Sequence, residues 1–191
     1  TLGQIRWRMG DYLGAQKLFQ EAVDLARNLY GQNHSDLCAA LNNLGGCLIL
    51  NGDNERAVII LQEALTDYQN IYGETHPGVG RGHVNLANAL QAAGRRDEAF
   101  AHYEQGLAVQ LNTVGPVHLY YAKTLAGLGL CRVNKASDGA EVANGIEELR
   151  LALDLALDAT DSDHPTVAEI SLKLARGLIV ADELEEAEIR A

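Results

Sequence analysis

Apolar residues recur along the chain at the spacing of one face of a 3.6-residue helix. Leu37, Leu41, Leu44 and Leu48 carry the pattern in one segment, and Ala57, Leu61, Ala64, Leu65 and Tyr68 face inward in the next. Gly52-Asp53 stands between them: a glycine that stops one helix and a polar residue that begins another. The same step occurs at Gly10-Asp11 and Gly94-Arg95. The second helix of each pair ends at Tyr30-Gly31, Tyr72-Gly73 or Val114-Gly115, and a turn holding His follows. In His76-Pro77 and His164-Pro165 the proline suits the first turn of the next helix. The pattern predicts an all-α chain of antiparallel helix pairs over 1–9/12–30, 35–50/54–72, 77–92/96–113, 117–133/142–158 and 165–180/183–190.

The pairs are copies of one another. Gly10, Gly52 and Gly94 superpose at a period of 42, as do Ala15, Ala57 and Ala99, and His34, His76 and His118. Leu2, Leu44, Leu86 and Leu128 do the same. Beyond Leu128 the offset becomes 46, with His118 mapping to His164 and Leu128 to Leu174. A four-residue insertion therefore lies between Cys131 and Gly145, and the text from Val133 to Ala140 reads as loop. The organisation expected is a single array over 1–191. It comprises a partial repeat 1–34, repeats 35–76, 77–118 and 119–164, and a partial repeat 165–191. Small residues such as Gly45, Ala57, Ala87 and Gly106 let helix axes approach closely. The run Asp182-Glu183-Leu184-Glu185-Glu186 is expected to open the last helix, where carboxylates meet the positive end of the dipole.

Composition agrees with helices: 47% apolar residues, 5% aromatics and 3 prolines in 191 residues. Asp and Glu number 26 against 15 Lys and Arg, a net charge of −11. That balance argues against a nucleic-acid partner, which requires a cationic footprint. No run of about 18 apolar residues exists to span a membrane, and no charged-then-apolar leader is visible. The chain starts at Thr1 without Met, so a fragment of a longer protein is expected. Cys38 and Cys47 are nine residues apart, about 13 Å along a helix, too far for a disulfide. Three free thiols, with Cys131, suit a cytoplasmic location and are expected to be buried and inert.

Candidate chemistry is sparse. There is no phosphate loop, nucleophile elbow or His-Glu-x-x-His motif, so no enzyme is expected. His34, His76, His118 and His164 recur one helix pair apart, roughly 20 Å for two helix diameters. They cannot converge on one ion with bonds of about 2.1 Å. They are expected to cap or pack their turns, and His83 and His102 to be structural; no metal or cofactor is expected.

The repeated residues carry a resemblance. Leu44-Gly45, Leu48, Gly52, Ala57, Leu61 and Ala64, repeated as Leu86-Ala87, Gly94, Ala99, Tyr103 and Gly106, resemble the tetratricopeptide repeat (TPR). The 42-residue spacing, Leu41-Asn42-Asn43-Leu44-Gly45 and the Tyr72-Gly73-Glu74-Thr75-His76-Pro77 linker resemble the longer repeats of kinesin light chains. Similar repeats are appended to many bacterial regulatory proteins. The resemblance implies a right-handed superhelical α-solenoid and a protein or peptide partner held on the concave face of each first helix.

On that face the helical period places Asn43, Arg81, Asn85, Asn88, Lys123, Lys173 and Arg176, with Gly46, Gln4, Trp7, Arg8, Leu50, Gln91 and Asn134 also on it. Asn offers both a donor and an acceptor to an extended backbone. The cations favour an acidic ligand, and Trp7 could add an apolar anchor. Asn43 and Asn85 match the groove asparagines of the kinesin-light-chain type. The carboxylate clamp of co-chaperone arrays is matched by Asn85 and Lys123 alone in one frame, where Asn42, Gly46 and Gly127 depart from it. In the next frame only Asn88 matches, with Lys173 nearby. The expectation is an interaction scaffold binding an extended acidic peptide. The alternative is a regulatory or oligomerising arm of a larger enzyme or transcription regulator. Leu2, Ile5, Leu174 and Leu178 on the terminal helices would allow self-association.

Overall fold

The structure, a computed structural model, describes the backbone from Thr1 to Arg190 and the side chains from Thr1 to Asp182. The described helices are α1 (Leu2–Arg8), α2 (Tyr12–Tyr30), α3 (Ser35–Leu50), α4 (Asn54–Tyr72), α5 (Pro77–Ala92), α6 (Arg96–Thr113), α7 (Leu119–Lys135), α8 (Gly139–Ala159) and α9 (Pro165–Arg190). Among the described residues there is no strand. The chain forms two compact units, Thr1–Arg95 and a second from Arg96 onward.

In the first unit α2 packs on α1 and α3, α4 packs on α3 and α5, and α3 also touches α5. Leu37, Leu41, Leu44 and Leu48 are fully buried, as the periodicity predicts, in a core shared with Leu61, Leu65 and Leu86. Gly45 sets the α3–α4 approach: a Cβ there would lie 2.5 Å from Leu61 Cγ. Each first helix of this unit ends in the same hydrogen-bonded stop. At the end of α3 the Asp53 N–H donates to Leu48 O at 2.9 Å and the Gly52 N–H to Ile49 O at 3.1 Å, a Schellman pair. It needs a left-handed residue, and Gly52 sits at φ +81°.

The four recurrent histidines act as helix caps, as expected. Each accepts a backbone N–H on Nδ1: Asp36 to His34 at 3.2 Å, Gly78 to His76 at 3.0 Å, Tyr120 to His118 at 3.1 Å and Thr166 to His164 at 3.2 Å. Tyr30 and Tyr72 stack on His34 and His76, with ring centroids 3.9 and 4.2 Å apart.

In the second unit α7 packs on α6, α8 and α9. Its core holds Leu125, Leu130, Ile146, Leu149 and Ile170, with Leu174 packed against it. The α7–α8 crossing is very close, since a Cβ on Gly129 would lie 2.8 Å from Gly145 O. A Cβ on Gly145 would in turn lie 2.6 Å from Val133 Cγ2 and 2.8 Å from Gly129 O, which explains why the repeat carries glycine there where earlier units carry alanine.

Two expectations fail here. The insertion is not a loop from Val133 to Ala140, because α7 continues to Lys135 and α8 begins at Gly139. Asp138 caps α8 by accepting the Glu141 N–H at 2.8 Å, while Glu141 accepts the Ser137 N–H at 3.2 Å. Nor does a helix end at 180, since α9 runs unbroken to Arg190. The position held by Gly52 and Gly94 in earlier units is Asp182, and no glycine stops the helix. The acidic run therefore lies inside α9 and not at a helix start; its side chains beyond Asp182 lie outside the described residues.

Candidate functional site

In the first unit the contact of α3 with α5 puts residues of equal register on one face. Asn43 and Asn85, 42 apart, line a pocket of about 230 Å³ with Ala39, Asn42, Tyr68 and Arg81. Asn43 and Asn85 are half-buried and Arg81 is exposed. Three of the predicted groove residues are thus brought together, and Arg81 supplies the positive charge of the lining.

Asn42 and Tyr68 also belong to this pocket, although the sequence pattern put Tyr68 in the core. Asn85 Nδ2 donates to Asn42 Oδ1 at 2.8 Å, and Asn42 Nδ2 donates to Cys38 O at 2.9 Å. Burial pushes the Tyr68 pKa up and Cys38 adds to it, while Arg81 and Asn42 act the other way. The phenol keeps its proton at neutral pH and offers the pocket a neutral hydroxyl. The doubled Asn42-Asn43 was the available sequence signal for this lining.

The other candidates lie elsewhere. Asn88 is exposed on α5 outside the pocket lining. In the second unit Lys123 on α7 and Lys173 on α9 meet at Glu169, with Nζ–Oε distances of 2.8 and 3.2 Å. Burial alone would raise the Glu169 pKa, but the hydrogen bonds and charges of the two lysines outweigh it and hold it below the ordinary value. Two cations expected to read an acidic ligand are therefore already paired with a carboxylate of their own chain. Arg176 is exposed on α9. Trp7 is half-buried against α3, where a Cβ on Gly46 would lie 2.5 Å from Trp7 Cη2, and it packs edge-on against Tyr12 and Phe19.

All three cysteines are buried, and burial pushes each thiol up to about 11. Among the described residues no three His, Cys, Asp or Glu side chains are placed to hold a metal ion. No described helix is long and apolar enough to cross a membrane.

Comparison with known proteins bears on what such a pocket serves. The tetratricopeptide repeat family model matches residues 1–70, 36–112 and 78–136. A search of curated proteins returns no significant match. Among solved structures, a methionine-substituted variant of the nearly identical TPR-like repeats of a Podosopora anserina protein described as a kinesin light chain superposes with a TM-score of 0.76 at 21% identity, over 98% of this chain and 86% of that one. The same repeats without the substitution give 0.74 at 22% identity, over 98% and 87%. BtubC (BKLC) from P. vanneervenii gives 0.75 at 19% identity, over 98% and 73%. These likenesses establish a shared fold.

Proposed function

Because the chain belongs to the tetratricopeptide repeat family, a family of protein–protein interaction scaffolds, we propose that it is a non-enzymatic scaffold binding an extended acidic peptide segment. The observation that carries the reading is the convergence of Asn43, Arg81 and Asn85 on one pocket. Carboxamides match the alternating donors and acceptors of an extended backbone, and an exposed guanidinium attracts a carboxylate. Asn88 on α5 of the first unit, and Lys123, Lys173 and Arg176 on the second, are proposed as further peptide contacts of their own units, the two lysines once released from Glu169. We read the protein as cytoplasmic, with a protein partner and without nucleic acid, membrane, metal or cofactor.

The test is selection from a random dodecapeptide library, followed by fluorescence-polarisation titration of the selected peptide. Asn85→Ala removes a neutral hydrogen bond worth about 0.5–1.5 kcal/mol. It should weaken binding about 2- to 12-fold at any salt concentration. Arg81→Ala should weaken acidic peptides most, and the loss should shrink in high salt as screening grows. Unchanged affinity in both variants, with helicity intact, would move the site off this face.

A second reading, a regulatory or oligomerising arm, is favoured by the exposed Leu2, Ile5, Met9 and Leu13 on and between the first two helices. Sedimentation of a variant with Leu2, Ile5 and Leu13 changed to Gln distinguishes it. Loss of an oligomer would support this reading, and an unchanged state would reject association through that end.

A further inference from the structure

We infer that Asn42 is the positioning residue of the pocket, fixing through hydrogen bonds which end of the Asn85 carboxamide faces a bound peptide. The inference rests on the peptide-binding reading above and adds a direction to it: Asn85 presents its carbonyl oxygen to a ligand N–H.

The direction starts from a group that can only accept. The Cys38 carbonyl has no proton to give, so the end of the Asn42 side chain 2.9 Å from it is the NH₂. The Asn42 carbonyl oxygen then points to Asn85, which must turn its own NH₂ toward it at 2.8 Å. That leaves the Asn85 oxygen directed away from Asn42. Without this relay the two ends of Asn85 are nearly equal in size, and the side chain can present either one. Asn42 and Tyr68 line the same pocket, so the relay from Cys38 through Asn42 to Asn85 runs along its wall.

The device is not a general feature of the repeat. One period later the residue equivalent to Asn42 is Val84, and one period further it is Ala126, neither of which can hydrogen-bond through its side chain. Asn85 itself has a counterpart in Asn43, so the carboxamide recurs while its positioning partner does not. An oriented acceptor beside Arg81 selects a peptide that offers a backbone N–H to Asn85 and a carboxylate to the guanidinium.

The repeat also supplies a fold-safe probe, Asn42→Val, which installs the residue found one period later. The first measurement needs no ligand: the Asn85 side-chain amide protons followed by NMR in the free protein. Wild type should show one slowly exchanging proton, and Asn42→Val should abolish that protection while the backbone spectrum of α6–α9 stays unchanged. The second measurement uses the peptide from the library selection, N-methylated at one backbone position at a time. At one position N-methylation should weaken wild-type binding about tenfold, and in Asn42→Val the same change should cost less than about twofold. A merely structural role would weaken both peptides equally and leave the ratio intact. An unchanged ratio, or an Asn85 amide indifferent to Asn42→Val, overturns this inference alone. Selection of no peptide at all overturns the binding reading beneath it.

Discussion

Glu169→Gln keeps the shape of a side chain shared by Lys123 and Lys173 and removes its charge. The carboxylate lies 2.8 Å from one ammonium and 3.2 Å from the other. The side chains of Lys123, Lys173 and Glu169 are 37%, 21% and 42% exposed, so solvent screens both pairs. Each pair is then worth about 0.2–1 kcal/mol, far below a buried pair. Losing both should cost about 0.5–1.5 kcal/mol, or about 1–6 °C in Tm for a chain of this length. The folded-state pKa of Glu169 lies below its ordinary value of 4.5. The unfolded chain therefore holds that proton more readily, and the stabilisation is full above about 4.5 and lost as pH falls through the folded value. Thermal unfolding followed by circular dichroism, with and without 1 M salt and at pH 7 and in acid, reads all of this. The gap between wild type and variant should narrow in salt and in acid. A variant as stable as wild type at pH 7 in low salt, or a gap indifferent to salt and acid, would refute the reasoning.

Gly45→Ala should destabilise by about 1–3 kcal/mol in urea unfolding, because its Cβ would meet fully buried Leu61 at 2.5 Å; a neutral result would mean the α3–α4 approach is looser than described. His76→Ala should cost about 0.5–2 kcal/mol through loss of the Gly78 cap, and His76→Asp should restore most of it; equal stability of the two variants would remove the capping role. Cys38, Cys47 and Cys131, pushed up to about 11 by burial, should ignore a thiol reagent at pH 7.5 in the native protein and react on denaturation. Rapid native labelling would contradict their burial.

Helix ends between 35 and 113 were legible because each carries its own punctuation: Gly52 and Gly94 after the first helices, Gly73 and His76-Pro77 between repeats. Where that punctuation is missing the reading slipped. Asp138-Gly139 looks like a turn, yet Asp138 is a cap whose partner is Glu141. Asp182 replaces the stop glycine, and α9 continues through it. The site divides in the same way. Asn43, Arg81 and Asn85 share a face set by helical period alone, so they could be read. Tyr68 could not, because its counterparts Ala26 and Gln110 are buried and the helical period places it inward with them, whereas it lines the pocket. The pairing of Lys123 with Glu169 joins α7 to α9, and no local spacing reveals it.

The central claim is that the face carrying Asn43, Arg81 and Asn85 holds a peptide. It is tested most directly by titrating the selected acidic peptide into isotopically labelled protein and following the Asn side-chain amides and the arginine Nε–H signals by NMR. The account predicts saturating shifts at Asn43, Asn85 and Arg81 with the same dissociation constant, while the amides of Asn54, Asn70 and Asn112, on the second helices of their pairs, stay in place. Shifts confined to those second-helix residues or to α1, with Asn43, Arg81 and Asn85 unmoved at saturation, would contradict it.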